Sequence, residues 1–176
     1  MRRIYWLILA AMFVAGLTAC SGCDNVDPSK GYTTRSAHRD DIKTVYLEMF
    51  HNETFRREIE FELSRALGLQ IETHTPFKLV SDRLTADTVL SGTITSVSES
   101  VMTQQRDLGR PMENQIILVA EVTWKNQRSA ELILNKQKVK TTGEYSSLAG
   151  GGRRSGAWQA ADEMAVRIVE MMEAPW

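Results

Sequence analysis

Cysteine is nearly absent from this chain. Only Cys20 and Cys23 occur in 176 residues. With no second cysteine pair there is no four-cysteine zinc site and no disulfide framework. Histidine is equally scarce. His38, His51 and His74 are scattered, and His38 with Asp40 and Asp41 does not form a known ligand spacing, so no metal is expected. Catalytic signatures are missing as well: there is no Gly-x-Ser-x-Gly, no His-Glu-x-x-His and no phosphate loop ending in Lys-Ser/Thr. Neither an enzyme nor a cofactor is expected. No charge of one sign dominates. The 21 basic and 22 acidic residues nearly cancel, which argues against nucleic acid as a partner. Beyond the first 20 residues there is no long hydrophobic run.

That one apolar run decides location. Met1, Arg2 and Arg3 precede "IYWLILAAMFVAGLTAC", a charged start followed by a greasy stretch from Ile4 to about Leu17. This is the layout of a secretory signal, and it is short of the roughly 20 residues that a spanning helix needs. Leu17-Thr18-Ala19-Cys20 resembles a bacterial lipobox. The small residues suit a signal peptidase, and the Cys20 thiol would take the diacylglycerol. Cys23 does not fit, because its −3 residue is Cys20. The expectation is a signal peptide over residues 1–19 and a palmitate-type acylated Cys20 as first mature residue. Each buried methylene contributes about 0.8 kcal/mol, so three acyl chains would hold the protein to a membrane essentially permanently. Ser21, rather than Asp, favours the outer membrane. Without residues 1–19 the net charge moves from −1 to about −3.

Residues 20–41 form the lipidated start and a polar tether containing Gly, Pro, Ser and Asp. The domain is expected over 42–176. "IKTVYLEMF" (42–50) reads as a strand, and Asn52 as a helix N-cap. Phe55, Ile59, Leu63, Ala66, Leu67 and Ile71 then fall on one helical face, with Phe61 off it, Gly68 weakening it and Pro76 ending it. Residues 77–80 suggest a short strand. Residues 88–104 suggest a longer one, whose alternation slips before Val97 as at a bulge. A polar turn (105–114) leads into "QIILVAEVTWKN" (115–126), with Leu118, Ala120, Val122 and Trp124 on one face. Its hairpin partner spans 130–145. After a glycine-rich loop (146–156), Ser155 is placed to cap a last helix over 156–173. That helix carries the stripe Ala157, Ala161, Met164, Ala165, Ile168 and Met172. The order implies an α+β two-layer sandwich, with two amphipathic helices on one face of a four- to five-stranded, mostly antiparallel sheet.

Two basic clusters are the candidate binding residues. Lys136, Lys138 and Lys140 alternate along one strand and so share a face, where they would meet an anion, or simply solvent as an edge-protecting row. Arg153 and Arg154 stand just before a helix start, where cations oppose the helix dipole unless an anion lies between. The bland reading of "GGGRRSG" is a flexible connection.

Taken in order, the lipobox, "GY", "IKTVYLEMF", "NETFRREIEFELSRAL", "TPFKLV", "ADTVLSGTITSV" and "LVAEVTWKN" resemble the LptE family of lipopolysaccharide-assembly lipoproteins. The resemblance runs from about Gly31 to Tyr145, and the "LAGGGRRSG" loop departs from it. It implies a lipid-anchored sandwich at the outer membrane, facing the periplasm or a barrel lumen. It also implies an LptD-type β-barrel as partner, plugged by this domain, and help in placing lipopolysaccharide. A second reading is an envelope lipoprotein similar to TolB amino-terminal or CsgG-like domains, acting in secretion or envelope regulation.

Overall fold

In the computed structural model the described residues are 38–104, 111–146 and 152–173. The signal sequence, Cys20, Cys23 and most of the tether lie outside them. Within the described residues, six strands and two helices follow as β1 (Thr44–Leu47), β2 (His51–Asn52), α1 (Ile59–His74), β3 (Lys78–Leu79), β4 (Thr88–Gln104), β5 (Pro111–Asn126), β6 (Leu132–Ser146) and α2 (Arg153–Glu170). The α+β class is as expected. The sheet is larger than expected, with six strands, and it is mixed. Its order is β3-β1-β4-β5-β6, with β2 also on β4. β4, β5 and β6 form antiparallel pairs, whereas β1 lies parallel to both β3 and β4. A helix joins β1–β2 to β3, and a strand that returns through a helix returns parallel.

The single strand expected over 42–50 is two short ones. Leu47 pairs Leu90 and His51 pairs Thr93, so four steps on one strand face three on β4. The extra residue lets Phe50 turn inward, where it is 2% exposed. Phe50 lies against Gly92. A Cβ there would come within 2.7 Å of the Glu121 carbonyl oxygen and nearer still to the Phe50 ring. Asp87 locks β1 beside β4. Its carboxylate accepts the N–H groups of Lys43 and Thr44, both at 3.0 Å, and its own N–H donates to Thr44 Oγ1. Burial pushes this carboxyl up, but those bonds and Arg128 hold it below the ordinary range.

α1 begins at Ile59, later than its sequence pattern suggests. Asn52 does not cap it. The Asn52 side chain instead accepts from the Thr54 N–H and hydroxyl and donates to the Arg56 carbonyl and the Glu60 carboxylate. This side-chain turn competes with helix over 53–58. Phe55 is therefore off the helix and fully exposed. The rest of the stripe, Ile59, Leu63, Ala66, Leu67 and Ile71, is buried. The last helix begins at Arg153 with Gly152 at its N-cap, so Ser155 is inside its first turn and donates to the Gly152 carbonyl. Its expected stripe is buried or partly buried throughout. The expected bulge in β4 falls between Ile94 and Ser96.

Both helices join the inward face of β4–β6 in one core. Leu90, Ile94, Leu118, Ala120, Val122 and Trp124 meet Leu63, Leu67, Met164 and Ile168 there. α2 lies on β6 almost backbone to backbone. A Cβ at Gly143 would reach 2.6 Å from the Ala160 nitrogen, and Thr141 donates to the Ala160 carbonyl at 2.8 Å. Among the described residues, no helix covers the opposite sheet face.

Candidate functional site

Val139 and Thr141 are buried under α2, so the residues between and beside them point away from it. Lys138 and Lys140 are thus on the open face, opposite Glu121 and Val119 of β5. Lys136 departs from the alternation. It has φ 46 and sits where the β5–β6 register shifts between Val122 and Trp124. Its N–H donates to Thr123 Oγ1 at 3.4 Å. All three lysines are exposed. Lys136 borders an open polar groove of about 810 Å³ floored by Ser91, Thr93, Thr95 and Thr123, with Glu121 beside it. The lysine row is a mixed surface. Glu121 directly opposite Lys138 offsets part of its charge.

Arg153 and Arg154 lie elsewhere, at the start of α2. The anion expected before this helix is supplied by the chain itself. Arg153 Nε meets Glu99 at 2.9 Å, and Arg154 Nη2 meets Glu58 at 2.7 Å. Arg154 also lies over the Trp158 ring, 5.4 Å from its centroid. The Tyr145 hydroxyl donates to Glu99, and Arg56 approaches the same carboxylate at 3.5 Å. The Tyr145 bond, opposed by burial and helped by Arg153 and Arg56, holds the Glu99 carboxyl below its usual value. Burial and the Glu99 partner push the Tyr145 hydroxyl up.

Lys136 and the arginine pair are not brought together: Lys136 borders one cavity, Arg153 and Arg154 border another, and the two cavities share no residue. Sequence reasoning passed over Arg56 and Arg57, which the 53–58 turn places beside Arg153 and Arg154. Two adjacent arginines were the available signal, but the helical spacing of this segment sets Arg57 off the apolar stripe and gives Arg56 no role. Among the described residues no group of three His, Cys, Asp or Glu side chains could hold a metal. His38 packs edge-on against Phe77 instead, with ring centroids 5.6 Å apart. No described helix is long and apolar enough to cross a membrane.

Two helices on one face of a mixed sheet, with charged surfaces outside the core, define a small α+β two-layer domain. The family model for LptE, lipopolysaccharide assembly, matches residues 42–172, and the chain belongs to that family. Among solved structures, the chain is similar to an uncharacterized lipoprotein B from Nitrosomonas europaea. That likeness has 13% identity, covers 80% of this chain and 88% of that one, and has a TM-score of 0.53. A hypothetical protein from Chlamydia trachomatis is similar at 11% identity, over 74% of this chain and 93% of that one, with a TM-score of 0.51. The rare lipoprotein B of Shewanella oneidensis shares 18% identity over 74% and 93%, with a TM-score of 0.49. The first two likenesses support the fold alone. A search of curated proteins finds no match.

Proposed function

We propose that the protein is a non-enzymatic outer-membrane lipoprotein, acylated at Cys20, that assists lipopolysaccharide assembly as the partner and plug of an LptD-type β-barrel. The family match over residues 42–172 carries this reading and favours it over a TolB- or CsgG-like role. The lipobox Leu17-Thr18-Ala19-Cys20 supports the anchor. The open sheet face supports the plug. It presents Ser91, Thr93, Thr95, Glu121 and Thr123, beside Lys138 and Lys140, and the interior of an outer-membrane barrel is likewise polar. The lysine row is the proposed contact for lipopolysaccharide phosphates and carboxylates. Its lysines are exposed, so each such contact is weak and sensitive to salt.

Replacing the chromosomal copy with Cys20→Ser tests anchor and role together. The expected result is a precursor that takes up no labelled fatty acid, with less lipopolysaccharide at the cell surface. Label that persists until Cys23 is changed contradicts the assignment of Cys20. Full surface lipopolysaccharide in an unlabelled variant contradicts the anchored role.

A further inference from the structure

The segment between β2 and α1 departs from its own sequence pattern. Phe55, Ile59, Leu63 and Ala66 are spaced as one helical face, yet the helix starts only at Ile59 and Phe55 is fully exposed. The break is at Glu58, where φ is 80 and ψ is −19. A residue with a Cβ enters this left-handed region only against a steric cost. No side-chain hydrogen bond caps α1 there. A cap for a longer helix, however, is already made. The Thr54 hydroxyl accepts the Arg56 N–H at 3.2 Å. An N-cap side chain accepts from the residue two positions on, so Thr54 is bonded as the cap of a helix beginning at Phe55.

Opposing contacts hold residues 55–58 out of that helix. The Asn52 amide donates to the Arg56 carbonyl at 2.6 Å and to the Glu60 carboxylate at 2.7 Å. A helix would give the Arg56 carbonyl to the Glu60 N–H instead. Arg56 reaches Glu99 at 3.5 Å, and Arg154 reaches Glu58 at 2.7 Å. Arg56 and Arg57 would also stand in the first turn of the longer helix, against its dipole. Two gains stand on the other side: Glu58 leaves its strained conformation, and Phe55 is buried. In the longer helix Phe55 lies one turn before Ile59 on the same face. Ile59 lines a cavity of about 330 Å³ with half-buried Val97 and Ala157 and the 42% exposed Trp158. An apolar cavity of about 150 Å³ already takes a benzene, so this one has room for the Phe55 ring.

We infer that residues 53–58 are a two-state strap. In the open state, seen here, the turn presents Phe55 to solvent. In the closed state Glu58 becomes right-handed, α1 runs from Phe55 under the Thr54 cap, and the Phe55 ring fills the cavity beside Ile59. The strap therefore decides whether this part of the surface offers an aromatic side chain and an open cavity or neither. Its two states are close in free energy because each satisfies what the other leaves unmet. The device is separate from the barrel role, which uses the open sheet face.

The test uses the full chain in neutral maltoside detergent, with 4-fluorophenylalanine placed at position 55 alone. Fluorine NMR reads the exposed and buried rings as separate shares. Hydrogen exchange reads the amides of Ile59, Glu60 and Phe61, which gain the carbonyls of Phe55, Arg56 and Arg57 in the closed state. Asn52→Ala removes two opposing bonds and should raise the buried share several-fold over the parent. Glu58→Ala and Glu58→Gly both remove the Arg154 pair, but glycine accepts φ 80 without strain and is the poorer helix former. The ratio of buried to exposed ring should thus be at least about tenfold greater in Glu58→Ala, with slower exchange at the three amides. Adding Phe55→Ala to Glu58→Ala should return that exchange towards the parent rate. A single exposed signal in both Asn52→Ala and Glu58→Ala overturns the proposal, as does an equal buried share in the two Glu58 variants. Either result leaves the assembly reading standing.

Discussion

Gly143→Ala should destabilise the protein by about 3 kcal/mol or more, the upper end of overpacking costs. The added Cβ would stand 2.6 Å from the Ala160 nitrogen and still closer to the Gly156 carbonyl oxygen. Both neighbours are backbone, so neither can step aside by changing rotamer. α2 would have to lift from β6. That movement strains the Thr141 bond to the Ala160 carbonyl and the bond from the Glu144 N–H to the Gln159 side chain, 3.1 Å long. Gly152→Ala is the matched control. Its Cβ would meet nothing within 4 Å, and its φ of −85 suits any residue. Alanine is a poorer N-cap than glycine, so urea denaturation should place the control within about 1 kcal/mol of the parent, well short of the Gly143→Ala loss. A Gly143→Ala protein equally close to the parent would mean that α2 does not lie on β6 at this distance.

Trp124 should show an unusual pair of outcomes. It is 1% exposed in the middle of the core, beside Phe77, with ring centroids 6.0 Å apart. Its indole N–H finds no acceptor among the described residues. Trp124→Ala should cost about 3–5 kcal/mol through lost burial and the cavity left behind. Trp124→Phe removes the unanswered donor, whose burial costs about 1–3 kcal/mol, and so offsets part of its own cavity. The phenylalanine variant should lose less than half as much as the alanine variant in the same denaturation series. Equal losses would show that the N–H is satisfied and that only volume counts.

The elements with many regular repeats were legible. Four alternating residues, Leu118 to Trp124, named the inward face of β5, and the alanine-methionine stripe named the buried face of α2. A break in alternation located the β4 bulge to within a residue or two. The two-residue strands were not legible as partners. β2 and β3 are too short to carry a period, and their parallel pairing depends on a helix crossover rather than on side-chain pattern. The start of α1 was missed because local side-chain bonds from Asn52 beat a favourable apolar spacing. Lys136 looked regular in sequence, and only the register shift reveals its departure. Of the candidate site, the basic residues themselves were visible, but their partners were not. Arg154 meets Glu58 across 96 positions of sequence, and no local pattern reports such a contact. The same distance hid the cavity that Arg56 and Arg57 share with Arg153 and Arg154.

Partnership with a barrel is the central claim, and co-purification measures it. The full chain, carrying an affinity tag at its carboxyl end, is extracted from outer membranes in mild detergent, and what remains bound after high-salt washing is identified by mass spectrometry. An LptD-type outer-membrane β-barrel retained in near-equal molar amount is the predicted result. Intact, lipid-anchored protein recovered without any barrel would contradict it.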